Sequence, residues 1–160
     1  MAKVSTGPHL FGDLLALARE SWVAQMVAAL GNLGYPGYRR TDALVMRRLL
    51  ASRLAVTRVG SLLGVTRQAG RKVVDGLLDR GYAATERDDQ DRRRVNVILT
   101  PTGRAYARAV VQAITSLNRG LADRVDHGDL EAAGRVLRAV LDEGDRLRLE
   151  GLILPPPPQH

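Results

Sequence analysis

Cysteine does not occur in this 160-residue chain. Its absence removes a disulfide framework, a thiolate zinc site and any cysteine redox switch. Aromatic residues are scarce, 4% against 45% hydrophobic overall, so aliphatic packing must supply the core. No apolar run approaches the ~18 residues of a membrane span. The opening MAKVSTGPHLFGDLLALARE has no secretory cleavage pattern and soon turns amphipathic, so the chain reads as cytoplasmic and unprocessed. Histidine occurs only at His9, His127 and His160, never at metal-ligand spacing, so no metal and no other cofactor is expected. Also missing are a GxSxG elbow, a Walker loop and a Gly-rich dinucleotide turn within a strand–helix unit. Asp88, Asp89 and Asp91 crowd a polar tip with no cleft to raise a pKa. Catalysis is not expected.

Acidic residues are nearly absent from one place. Residues 39–72 hold nine basic residues against the single acid Asp42, a local +8, while the whole chain carries +7. The remaining segments are close to neutral. A diffuse excess would serve solubility; a local one points to a polyanionic partner. Eight of the nine cations are arginine, the residue suited to forked contacts with phosphate and guanine.

Periodicity places the elements. Apolar residues at steps of three and four over 10–33 predict a long helix, ended by the GYPGY turn at 34–38. Thr41 or Asp42 is positioned to cap a helix over ALVMRRLL, which Ser52-Arg53-Leu54 breaks. Thr57 is placed to cap a short helix (58–63), Gly64-Val65 makes a tight turn, and Thr66 caps a helix over 67–80 ended by Gly81. Helix, short glycine turn, helix is the helix-turn-helix layout. Residues 82–87 and the alternating Val95, Val97 and Leu99 predict a hairpin with the tip DDQDRRR. Thr100 or Thr102 starts a further helix, and Asp129 is placed to cap a last one running past Leu147. LILPPPPQH is a proline-rich tail read as disordered.

A helix-turn-helix followed directly by a basic-tipped hairpin is a winged helix. The fold class expected is mostly α with a small β-hairpin. The recognition helix would enter the major groove, presenting Thr66, Arg67, Gln68, Gly70, Arg71 and Lys72. Arg92, Arg93 and Arg94 would reach the backbone or a narrow minor groove, where negative potential concentrates. Asp91 beside them makes sense if it pairs with Arg93 and aims its guanidinium. The long amphipathic helices before and after this lobe have little to pack against in one small domain. A second copy of the chain would cover them.

These residues bear a resemblance. Asp91, Arg93, Val97, Leu99, Thr100 and Gly103 stand at the spacings of the wing motif of the MarR family of winged-helix regulators, and VGSLLGVTRQAGRKVVDGLLDRGY (59–82) is similar to its helix-turn-helix. The resemblance covers roughly residues 10–149, with its specific part at 57–103. It implies a homodimer that binds a pseudo-palindrome on double-stranded DNA through two recognition helices and two wings. Arg93 would be the minor-groove residue and Asp91 its aiming partner. It also implies a small aromatic or phenolic effector, for which Trp22, Met26, Tyr35 and Tyr38 are candidate pocket residues, with core and dimer-interface packing as the alternative role for them. Gly60 stands where Ala is usual, Gly70 where the DNA-facing side carries a side chain, and Ile98 where an outward polar residue is expected.

The organisation expected is a flexible N-terminus (1–9), a dimerisation helix and turn (10–38), a winged DNA-binding lobe (39–100), C-terminal dimerisation helices (101–149) and the tail (150–160). The function expected is a transcriptional regulator, a repressor of nearby genes. The alternative is an architectural or weakly selective DNA-binding protein, which a bare Gly70 on the reading face would favour.

Overall fold

The structure, a computed structural model, describes residues 10–152. The N-terminal nine residues and the prolines of the tail lie outside the described residues. The chain falls into two compact units, one up to Tyr38 and one from Arg39.

The first unit is a single long helix, α1 (Phe11–Asn32), and the turn after it. The turn closes by local bonds: the Gly34 amide donates to the Gly31 carbonyl (3.0 Å) and the Tyr35 amide to the Leu30 carbonyl (2.9 Å). Met26 and Leu30 are fully buried, whereas Phe11, Leu14, Leu17 and Val27 are exposed.

The second unit begins with α2 (Arg40–Ala51), a two-residue strand β1 (Leu54–Ala55) and a 3₁₀ turn (Val56–Arg58). Then come α3 (Val59–Leu63), α4 (Arg67–Asp79), the hairpin β2 (Ala83–Arg87) and β3 (Val95–Leu99), α5 (Pro101–Ala122), α6 (His127–Val140) and α7 (Glu143–Leu152). The core is aliphatic, as the composition requires. Val45 and Met46 of α2, Val59 of α3, Val74 and Leu77 of α4, Val97 of β3 and Val110 of α5 are fully buried.

Four local expectations change. The hairpin is part of a three-stranded antiparallel sheet of order β1-β3-β2, with Leu54 opposite Val97 and Ala55 opposite Asn96. A two-residue strand has no alternation for a sequence to display. Ile98 lies on the face opposite Val97 and Leu99, as expected, and is half-buried there. Thr57 caps nothing: it sits inside the 3₁₀ turn, which has no side-chain cap. Neither Thr41 nor Asp42 caps α2, whose N-cap is Arg39. The expected last helix is two helices. Asp129 lies inside α6, the chain is extended at Leu141, and Asp142 starts α7 by accepting from the Asp145 amide (2.7 Å). α7 packs back on α2 and α3, where Arg148 donates to the Leu63 carbonyl (3.1 Å) and pairs with Asp145.

Two close approaches set the geometry of the lobe. A Cβ on Gly70 would lie 2.6 Å from the Cα of Gly60, and one on Gly60 would lie 2.9 Å from the Thr66 carbonyl oxygen. α3 and α4 therefore cross backbone to backbone. At the other end, a Cβ on Gly103 would lie 2.7 Å from the Tyr82 carbonyl carbon, so the first turn of α5 rests on the chain leaving α4. Thr100 secures that junction: its hydroxyl donates to the Gly81 carbonyl (2.6 Å) and accepts from the Gly103 amide (3.0 Å).

Asp42 is buried and accepts a 2.5 Å bond from Arg80, the C-cap residue of α4. Burial raises its carboxyl above the usual carboxylate range, against the opposing attraction of Arg80 and then Arg39. The pair joins the start of α2 to the end of α4.

Three outcomes are expected. Gly70→Ala lowers unfolding stability by about 3 kcal/mol, because the added methyl meets backbone that cannot move aside. Gly120→Ala, on α5 with nothing within 4 Å of its Cβ, raises stability by up to ~1 kcal/mol; denaturant midpoints compare the two. Arg80→Ala leaves a buried carboxylate without its partner and costs about 2 kcal/mol near neutral pH, a figure reduced for the partial exposure of Arg80. Since the Asp42 carboxyl titrates above its ordinary range, protonation relieves that cost as the pH falls. The gap between wild type and Arg80→Ala should narrow toward pH 4 in a series of urea melts, and a constant gap would contradict it.

Candidate nucleic-acid interface

α4 begins where Thr66, in extended conformation, accepts the Ala69 amide on its hydroxyl (3.2 Å). That cap satisfies one of the free amides of the first turn. Arg67, Gln68, Arg71 and Lys72 are all exposed. Val74 and Leu77 on the opposite side are fully buried, so the amphipathic division expected of a recognition helix is present. Arg71 is tied to Asp75 one turn on (2.9 Å). Both partners are largely exposed, so this pair is weak and can exchange for another anion.

Gly70 does not belong with the reading residues. It is buried against Gly60 of α3. Helical steps of 100° put position 70 on the same side as Val74 and Leu77, four and seven residues on. Gly60 and Gly70, each a departure from the family pattern, are thus two halves of one contact.

The wing tip is organised by a residue the sequence reading passed over. Asp88 accepts from the Gln90 amide (2.9 Å) and the Asp91 amide (3.3 Å) on one oxygen, and from the Asn96 side chain (3.0 Å) on the other. The Asn96 amide first, then the Gln90 amide, holds the Asp88 carboxyl below the usual carboxylate range. Asn96 itself is buried. The backbone closes the tip, with the Asp88 amide donating to the Arg94 carbonyl (3.0 Å) and the Arg94 amide to the Asp91 carbonyl (2.8 Å). An Asp two residues before an amide it can turn back to accept is a readable signal; the contact with Asn96, eight residues on, is not.

Asp91 acts differently from the expectation. Its carboxylate accepts from the backbone amide of Arg93 (3.0 Å) and is not in an ion pair with the Arg93 guanidinium. It shapes the peptide at the tip, so any aim it gives Arg93 comes through the main chain. Arg92, Arg93 and Arg94 are exposed, and their guanidinium groups have no partner among the described residues. A short acceptor-to-own-backbone bond wins over a long-side-chain ion pair because it orders no rotamers of the arginine.

The wing is fixed to α4 from below. Thr100 and Gly103 bind the chain at Gly81–Tyr82, and the Tyr82 and Tyr106 rings stack with centroids 5.1 Å apart. At the sheet edge, Arg53 beside β1 pairs with Glu86 of β2 (3.2 Å). α4 and the wing are therefore parts of one lobe.

The candidate pocket residues all lie in the first unit. Trp22 and Met26 are one turn apart on α1; Tyr35 and Tyr38 lie in the turn after it. Met26 is fully buried and offers a ligand no surface as it stands, while Trp22, Tyr35 and Tyr38 are half-buried. No helix among the described residues is long and apolar enough to cross a membrane.

No protein-family model matches the sequence. Uncharacterized proteins of Mycobacterium bovis and Mycobacterium tuberculosis are 32% identical to it over 88 residues, 55% of this chain. The match spans 62% of their own length. Among solved structures, a probable transcriptional regulator from Pseudomonas aeruginosa is 25% identical, with a TM-score of 0.67 over 82% of this chain and 96% of that one. BpsR of Bordetella bronchiseptica, whose DNA binding is regulated by 6-hydroxynicotinic acid, is 22% identical, with a TM-score of 0.66 over 89% and 99%. A MarR mutant from E. coli complexed with operator DNA is 20% identical, with a TM-score of 0.67 over 84% and 95%. The fold of this chain, mostly helical with a small antiparallel sheet, is the winged-helix fold of the MarR family of transcriptional regulators.

Proposed function

We propose that this protein is a DNA-binding transcriptional regulator acting as a homodimer, with α4 in the major groove and Arg93 at the minor groove. The observation that carries the reading is the pairing, on one lobe, of an exposed Arg67-Gln68-Arg71-Lys72 face with a wing tip whose three guanidinium groups have no partner among the described residues. Phosphates would neutralise these cations with release of counterions, and the forked donors suit base edges. The dimer is supported by apolar surface that the single chain leaves uncovered. α6 has no buried residue, and Val136, Leu137 and Val140 are 45–54% exposed. A helix with that pattern needs a partner surface. Repression of nearby genes follows if the operator overlaps a promoter.

The alternative of weakly selective binding loses its main support. It drew on Gly70 exposing bare backbone to the groove, and Gly70 faces α3 instead. An aromatic effector fits the regulation of BpsR by 6-hydroxynicotinic acid. In this chain it would have to displace packing at Met26 or lie against the half-buried faces of Trp22, Tyr35 and Tyr38.

In a gel shift against the DNA upstream of its own gene, the wild type should bind far better than to random DNA. Arg93→Ala should weaken that binding about tenfold. Wild-type binding no stronger than to random duplex would refute the reading. The wing has its own test. Asp88→Ala frees the Gln90 and Asp91 amides, so their hydrogen exchange should accelerate while α4 is unaffected. In the wild type the Asp88 contribution is held above the ordinary carboxylate pKa and lost only as the pH falls through its lowered value. Wing protection should therefore be flat from pH 8 to 5, and a loss within that range would contradict the assignment.

A further inference from the structure

The basic face of α4 contains one feature that charge does not explain. Between the 3₁₀ turn and the first turns of α4 lies an open hollow of about 430 Å³, lined by Val56, Thr57, Arg67, Gln68 and Arg71. Its wall is almost wholly apolar, although four of the five residues, all but Val56, carry polar groups at their ends. They therefore turn their alkyl stems inward and their donors toward the rim, as long amphipathic side chains do. Arg71 is drawn along its own helix to Asp75 (2.9 Å), which leaves its methylenes beside the hollow. Val56 is 8% exposed and held in the core, so the floor cannot swing away.

A carbon-walled hollow ringed by cationic and amide donors is unfavourable against plain solvent or phosphate. The major groove carries a single apolar group, the 5-methyl of thymine, set beside the acceptors of the neighbouring bases. We propose that this hollow receives a thymine methyl, and that Val56 and Thr57 are specificity-determining residues together with the α4 side chains. The inference rests on the DNA-binding reading above and adds to it a base identity. Each half-site would hold a thymine at one defined position, next to a base whose acceptors face Arg67 or Gln68. Arg67 and Gln68 have no side-chain partner among the described residues, so their donors are available for it. The pre-formed floor means that little is ordered when the methyl enters.

The test begins with duplexes selected by the full chain from a random pool. Each thymine of the preferred half-site is then replaced singly by deoxyuridine, which deletes only the methyl. At one thymine per half-site, the replacement should weaken wild-type binding roughly three- to fivefold, the effect of removing one buried methyl. Val56→Thr, close in shape but with a hydroxyl, should bind thymine and uracil duplexes within a factor of about 1.5 of each other. Its circular dichroism and melting checked alongside show that it is folded. If Val56→Thr does not fold, Thr57→Ser, which removes one exposed methyl at the rim, takes its place with a smaller loss of discrimination. A preferred sequence at which every deoxyuridine replacement is neutral overturns this inference and leaves the DNA reading standing. A pool that yields no preferred sequence sinks the DNA reading, and this inference with it.

Discussion

Where α3 and α4 cross, neither helix carries a side chain at the point of contact. Gly60 and Gly70 bring the two backbones as close as peptide groups allow, and most of the exposed basic surface of α4 follows from that approach. With α4 pressed onto α3, its buried stripe is used up by Gly70, Val74 and Leu77. Arg67, Gln68, Arg71 and Lys72 are left exposed on the other side. The same approach brings the 3₁₀ turn alongside α4 and forms the carbon-lined hollow at Val56. A larger residue at either glycine would tilt α4 and move each of these groups together. Interiors packed to crystal-like density transmit such a shift and do not absorb it.

The far end of α4 is fastened just as closely, by different means. Arg80 reaches the buried Asp42, and Thr100 and Gly103 clamp the chain at Gly81 and Tyr82. The helix is thus held at both ends by contacts with backbone or with a buried charge. The wing departs from the second clamp. In a lobe of this kind, the distance from α4 to the wing tip is set by main-chain geometry. The wing tip follows the same economy. Asp88 and Asp91 spend their carboxylates on peptide amides and leave the arginine side chains to an external anion. Had Asp91 paired with the Arg93 guanidinium, any external anion would have to replace an existing partner, and most of the attraction would be cancelled.

Much of this was legible in the residues, where the signal is local. Thr66 reads as a cap, and Thr100 as one of two candidates with Thr102, because a hydroxyl followed three residues later by a free amide is a short-range arrangement. Gly81 reads as a helix stop, and the alternation over 95–99 reads as a strand; both elements are present. Signals that depend on a distant partner were silent or misleading. β1 is two residues long and exists only because β3 lies beside it. Asp42 resembles a helix cap until Arg80, 38 residues away, is brought to it. The split between α6 and α7 lies in a stretch of continuous helical periodicity. It is visible only once Leu141 is extended and Arg148 has docked at Leu63.

Gly70 shows the boundary between the two kinds of information. By itself the sequence determined that a capped, basic, amphipathic helix follows a glycine turn and precedes an arginine-tipped hairpin, because each of those features is decided by neighbours within about one helical turn or one strand pair. It determined the charge as well, since charge is a property of composition. Which backbone a glycine on the buried side of that helix meets, whether an aspartate of the wing is also held by an asparagine on the returning strand, and whether a valine ends as the floor of a hollow were decided only by tertiary packing. Those outcomes depend on which backbone arrives from elsewhere in the chain, and a residue does not carry that information in its own neighbourhood.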